Sequence, residues 1–264
     1  MLEIRGSTVL LTGATGGIGH AIARALAQRG ARLILTGRRA DVLEPLAAEV
    51  GGRAVAADLT QRDAPARLAE AAGDVDVLVS NAALPASGTL DTFTPDQVDR
   101  ALDVNLRAPI ALAQLLSAPM ARRGRGHLVF ISSLSGRSAQ PGGALYSATK
   151  FGLRGFALAL REDLRPHGVG VSTIFPSFIR DAGMFADSGA SLPPGVGTRS
   201  SQDVADAVVR AIERNRAEVD VAPVGLRLGA LAAGVAPELA AAVSRRLGAA
   251  RIAAAIAAGQ RDKR

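Results

Sequence analysis

Short apolar runs punctuate this chain at regular intervals, and between them apolar residues recur every three or four positions. The runs at 9–11, 32–36, 53–57, 75–80, 126–132, 170–175 and 219–222 predict strands, since a brief unbroken apolar stretch bounded by turn residues suits a buried strand. The intervening periodicity predicts helices near 20–29, 40–50, 62–72, 95–122, 146–166 and 201–214. Thr94-Pro95-Asp96-Gln97 reads as a capping box with proline at the first helical position, and Ser200-Ser-Gln-Asp203 resembles another. Strand and helix alternate throughout, which implies a doubly wound α/β domain: one parallel sheet with helices on both faces. Ligands of such sheets lie at the carboxyl ends of the strands. Gly13, Asp58, Asn81, Ser133 and Pro176 all follow strand ends here.

Two stretches carry chemistry. After the first strand comes Thr12-Gly-Ala-Thr-Gly-Gly-Ile-Gly19, followed by a helical pattern. Glycines at such a turn let backbone approach a pyrophosphate, and the helix N-terminus offers free N–H groups and a positive dipole end. Any tight strand-to-helix turn favours glycine, but Gly13, Gly16, Gly17 and Gly19 exceed what a turn requires. The second stretch is Tyr146-Ser-Ala-Thr-Lys150, with Ser133 thirteen positions earlier. Four residues apart on a helix, Tyr146 and Lys150 share one face. An ammonium beside a phenol favours the phenolate and predicts a lowered tyrosine pKa. A phenol so placed can exchange a proton with an alcohol or carbonyl oxygen. Taken alone, the same spacing also fits a solvated helix face.

Composition narrows the classes. The 264 residues are 48% hydrophobic and contain no cysteine, which excludes a disordered chain, disulfides and thiolate chemistry. His20, His127 and His167 are scattered, so no metal site is expected. The opening Met1-Leu-Glu-Ile-Arg5 lacks an apolar leader, and the cytoplasm is the expected location. Net charge is +7, and all basic residues but Lys150 and Lys263 are arginines. They are spread along a chain that is 3% aromatic, with no stacking platform for nucleic acid, so none is expected as a partner.

These motifs together resemble the short-chain dehydrogenase/reductase family over roughly residues 5–223. The cofactor loop T-G-x-x-x-G-x-G appears as Thr12 to Gly19, the catalytic Y-x-x-x-K as Tyr146 to Lys150, and the family's serine and asparagine as Ser133 and Asn105. The resemblance implies a Rossmann-type fold and an oxidoreductase with Tyr146 as acid/base. Ser133 would orient the reacting oxygen, Lys150 would hold the nicotinamide ribose, and Asn105 would anchor a water. It also implies cofactor contacts from Thr12, Gly13, Thr15, Gly16, Gly17, Ile18, Gly19, Asp58, Leu59, Asn81, Ala82, Tyr146, Lys150, Pro176 and Ile179. Two motifs depart. Asn81-Ala82-Ala83 carries alanine where the family has glycine, and Asp181 stands where the family has threonine. The competing class is a cofactor-binding protein without turnover, acting as sensor or assembly partner.

Cofactor choice follows from charge. NAD-binding units usually carry an acid at the end of the second strand, where this chain has Gly37-Arg38-Arg39. Guanidinium groups pair bidentately with phosphate, so NADP is expected over NAD unless both arginines are only solvated loop charges. The segment 177–198, with Phe178, Ile179, Met184, Phe185, Leu192 and Val196, predicts a lid, with Leu84 and Leu134 on neighbouring loops. Its apolar residues either favour an apolar carbonyl or alcohol substrate or simply pack the lid down. Beyond a catalytic domain over 1–223, residues 224–264 form a helical extension broken at Pro237 and Gly248. Its stripes are Leu228, Leu231 and Val235; Leu239, Val243 and Leu247; and Ile252 with Ile256. With no aromatic residue to seat in a bilayer, a membrane surface is not expected. The tail should pack on protein, over the lid or against another subunit of a homo-oligomer.

Overall fold

The structure, a computed structural model, describes residues 2–193, 195–246 and 248–263. Seven strands form one parallel sheet in the order β3-β2-β1-β4-β5-β6-β7. They are β1 (Thr8–Thr12), β2 (Arg32–Gly37), β3 (Arg53–Ala56), β4 (Val77–Ser80), β5 (Gly126–Ile131), β6 (Val169–Pro176) and β7 (Glu218–Val221). The catalytic part adds α1 (Gly17–Gln28), α2 (Ala40–Glu49), α3 (Ala64–Ala72), α4 (Pro95–Leu102), α5 (Ala108–Arg123), α6 (Ala144–Leu164), α7 (Gly183–Ser188) and α8 (Ser201–Arg214). The strands are apolar at successive positions because both faces are covered. Val9 and Leu11 of β1 join a core with Ile22 and Leu26 of α1 and Val208 and Ile212 of α8. Leu10, between them, joins the opposite core with Leu112 of α5 and Leu153 of α6. Sequence order reverses between β1 and β4, the switch point at which a sheet of this kind opens a crevice.

Both capping boxes form, at Thr94 with Gln97 and at Ser200 with Asp203. The helix expected over 95–122 runs through to Arg123 but is not α throughout: a π turn, Asp103–Arg107, lies between α4 and α5. Proline at 109 has no N–H for the carbonyl four residues back, which is that of Asn105. The amide of Asn105 in turn accepts from Leu84 N–H at 2.7 Å and donates to Leu84 C=O at 3.0 Å. Periodicity cannot report either effect.

The tail forms α9 (Val224–Val235), α10 (Pro237–Arg246) and α11 (Ala249–Gly259), with the breaks at Pro237 and Gly248. Only α11 meets the expectation of packing over the lid. A Cβ added at Gly259 would lie 2.1 Å from the Ser188 carbonyl oxygen of α7, and Gln260 Nε2 donates to the Met184 carbonyl at 2.7 Å. Ile252 and Ile256 are half-buried. In contrast, Leu228, Leu231, Val235, Leu239 and Val243 are exposed; Leu247 lies outside the described residues. Small residues make the inner faces of α9 and α10, where Ala230 is buried and Ala233, Ala240 and Ala242 are half-buried. Alanines let the backbones close up, which leaves the larger side chains outward. No described helix is long and apolar enough to cross a membrane.

Candidate active site

A cleft of about 780 Å³ opens at the carboxyl ends of β1, β2, β4, β5 and β6. Its floor is the glycine turn between β1 and α1. Gly13 has φ +64°, and a Cβ there would sit 2.7 Å from the Ala82 Cα; one at Gly19 would meet the Gly13 carbonyl at 2.3 Å. The turn can therefore nest against the end of β4 only as glycine. Gly16 caps α1 without any side-chain hydrogen bond, and Gly16 and Gly17 are exposed. The first-turn N–H groups of α1 thus face the cleft uncapped, as an anion-binding helix end requires.

Thr12 holds this floor together and does not line the cleft. Fully buried, its hydroxyl accepts N–H groups from Asn81 and Ala82, each at 3.0 Å. Asn81 returns its side-chain amide to the Thr12 and Gly13 carbonyls at 3.2 and 3.0 Å. Thr15, Gly16, Gly17, Ile18, Gly19, Arg38, Arg39, Asp58, Leu59, Asn81, Ala82, Pro176 and Ile179 all line the cleft. At the end of β2 both arginines are exposed, and Arg39 donates to the Thr15 carbonyl at 2.7 Å, which ties it to the glycine turn. The Asp58 carboxylate accepts the Thr60 N–H at 3.1 Å.

Three of the four expected catalytic side chains converge. Ser133 lies two residues beyond the end of β5, close enough to the Tyr146 hydroxyl to favour its ionised form; its Oγ accepts the Ser135 N–H at 3.1 Å. Lys150 is 2% exposed, donates to the Ile131 carbonyl at 3.0 Å and lies 5.5 Å from the Tyr146 ring centroid. Asn105 is the exception. Its side chain is buried and occupied by Leu84, so it fixes the loop after β4 from behind the cleft wall instead of facing the cleft. The expected lowering of the tyrosine pKa also does not appear. Burial pushes the Tyr146 phenol up to about 12, opposed only by Ser133 beside it, and pushes the Lys150 ammonium down to about 8. Lys150 directs its proton to Ile131, so its charge does little for the phenol. At neutral pH Tyr146 is a protonated donor.

Both departures find places. Ala83 lines the cleft. Asp181 turns away from it: its carboxylate accepts the Ser201 N–H at 2.8 Å and the Ser201 hydroxyl at 3.1 Å, at the N-terminus of α8. An acid at a helix N-terminus is favourable, and the following capping box was the signal that could have located its partner. Motif reasoning missed other lining residues, among them Pro85, Ser135 and, from the tail, Ile256 and Gln260. No motif marks the tail pair, because only the long-range fold of α11 onto α7 brings them to the cleft.

The residues fit a nicotinamide dinucleotide in an uncapped helix end, a glycine cradle and two cations. Comparison with known proteins agrees. Residues 7–192 match the short chain dehydrogenase family. A ketoacyl reductase HetN from a Nostoc species is 34% identical over 230 residues, 84% of this chain and 80% of that protein. Among solved structures, a metagenomic short-chain oxidoreductase in complex with NADP is 33% identical, with a TM-score of 0.69 over 84% of this chain and 99% of that one. A short-chain dehydrogenase from Sphingobium yanoikuyae in complex with NADPH is 26% identical, with a TM-score of 0.77 over 88% and 95%. The chain belongs to the short-chain dehydrogenase/reductase family of NAD(P)-dependent oxidoreductases.

Proposed function

We propose that the chain uses NADP(H) to interconvert a carbonyl and an alcohol on an apolar small molecule. The observation that carries this reading is the shared cleft. The Ser133, Tyr146 and Lys150 side chains line the space that also holds the glycine turn and the two arginines. Bound NADP(H) supplies or accepts the hydride. Tyr146 gives its proton to the carbonyl oxygen, and its raised pKa suits that direction at neutral pH. Ser133 Oγ, beside the phenol, holds the same oxygen in line. Lys150, fixed between Ile131 and the tyrosine ring, steadies the ribose side of the site. Arg38 and Arg39 support a 2′-phosphate, and the NADP and NADPH complexes of the two structural relatives point the same way.

Substrate class follows from the lid. Phe178, Met184 and Phe185 line the cleft, with the two phenyl rings 5.0 Å apart, and Leu84, Pro85 and Ile256 face the same space. This wall supports an apolar ketone, aldehyde or secondary alcohol. Exposed Leu115 of α5 with Phe151 and Leu158 of α6 supports a homo-oligomer, which light scattering would test. The cofactor reading is tested by the double substitution Arg38→Ala with Arg39→Ala. Charge-assisted hydrogen bonds contribute ~1.5–3 kcal/mol each, so NADPH binding, followed by nicotinamide fluorescence, should weaken about tenfold or more while NADH binding changes little. Equal losses for both cofactors would refute 2′-phosphate recognition.

A further inference from the structure

Among the described residues, eleven large apolar side chains are exposed, and six of them lie on α9 and α10. On α9 they are Val224, Leu228, Leu231 and Val235, spaced as one stripe along a helix and opposite the covered positions Leu226, Ala230 and Ala233. Leu239 and Val243 continue the series on α10. Val235, at the turn between the helices, is 89% exposed. An apolar stripe of this extent on an outward face marks an interaction surface.

Charge decides the partner. Residues 224–264 hold seven basic and two acidic residues, and so carry five of the chain's seven net positive charges in less than a sixth of its length. Arg245, Arg246 and Arg251 are exposed and make no ion pair among the described residues. Arg227 sits 3.8 Å from Asp220, and Glu238 is the one acid on the three helices. A two-fold contact with a second copy would set this charge against itself. Exposed leucine and valine with unpaired arginine on the same helix α10 (Leu239 and Val243 with Arg245 and Arg246) instead match an anionic lipid surface, where apolar side chains enter the acyl boundary and guanidinium groups meet phosphate. Helices of 12 and 10 residues are too short to span, so the hairpin would lie in the interface plane.

We propose that α9 and α10 form a docking face for anionic phospholipid bilayers. Phenylalanine, tyrosine and tryptophan are absent from the tail, which makes the attachment reversible and dependent on arginine. Docking there leaves the cleft free, because none of the residues lining it belongs to α9 or α10.

Flotation of the full-length protein with vesicles of phosphatidylcholine, with and without an equal share of phosphatidylglycerol, tests the proposal. The protein should float with the anionic vesicles, far less with the neutral ones, and less as salt is raised. Substituting Arg245→Gln, Arg246→Gln and Arg251→Gln together should lower the partition coefficient about a hundredfold, at roughly fivefold per cation. Leu228→Ser with Leu231→Ser and Leu239→Ser should lower it more than tenfold, with cofactor fluorescence unchanged in both variants. Were the leucine variant to misfold, the arginine variant and the salt titration would still decide. The proposal is overturned by absence of flotation on anionic vesicles, by flotation that survives the leucine substitutions in a folded protein, or by a dimer that those substitutions dissociate without any vesicle binding.

Discussion

Tyr146 and Lys150 show how far one pair of side chains is shaped by its surroundings. The phenol is held protonated by burial, and Tyr146→Phe should remove the proton donor while leaving the cofactor cradle intact. Turnover should fall by about a thousandfold, with nicotinamide fluorescence on cofactor binding nearly unchanged; a variant retaining most of its rate would refute the assigned role. Lys150 is a buried cation whose pKa drops from 10.5 to about 8. Between those values the unfolded chain binds more protons than the folded one, so stability rises with pH from about 8 to 10.5 and the penalty is complete below 8. Lys150→Met should abolish turnover yet raise the melting temperature at pH 7. The penalty removed is on the order of 3 kcal/mol at ~1.4 kcal/mol per pKa unit, less what the lost bond to Ile131 contributed. Melting temperatures measured at pH 7 and pH 9 would separate the cases: a variant whose stability climbed with pH as the parent's does would show that another group causes the slope.

At the scale of elements, the π turn at Asp103–Arg107 and the contact of α11 on α7 both answer to single residues. Gly259 is held against the Ser188 carbonyl so closely that any side chain must move backbone. Gly259→Ala should pry α11 from the lid, break the Gln260 bond to Met184 and raise hydrogen exchange in α7. The Michaelis constant for an apolar substrate should rise severalfold while kcat changes little, since the Ser133–Tyr146 pair lies on other elements. Unaltered exchange in α7 would mean that α11 does not hold the lid. Most elements were legible in the sequence, because strand length, helical period and capping boxes are local properties. The π turn after Leu102 was not. It depends on Pro109 denying a hydrogen bond to Asn105 and on Leu84 taking up its amide, two contacts that hydrophobic spacing does not encode.

For the molecule as a whole, the tail lies beyond the family match over 7–192. Truncation after Ala222 should leave the glycine turn, the arginines and the Tyr146–Lys150 pair in place, and so preserve cofactor binding. It should lower the melting temperature and weaken substrate binding, because Ile256 and Gln260 would no longer wall the cleft. A truncated protein that matched the parent in substrate affinity would remove the tail from the site.

The residues alone determined the sheet, the order of strands and helices along the chain, the glycine turn and the placing of Tyr146 and Lys150 on one helix face. Each rests on identities at fixed spacing that local physics reads directly: hydrophobic period, turn stereochemistry and the helical repeat. Tertiary structure decided what depends on who sits nearby. It set the direction of the Tyr146 pKa, since burial outweighs a lysine that points to Ile131. It moved Thr12 and the Asn105 side chain out of the cleft and into its scaffold. It gave Asp181 to the N-terminus of α8. In the tail it chose which stripe turned inward, because alanines pack closer than leucines and left Leu228, Leu231 and Leu239 facing out.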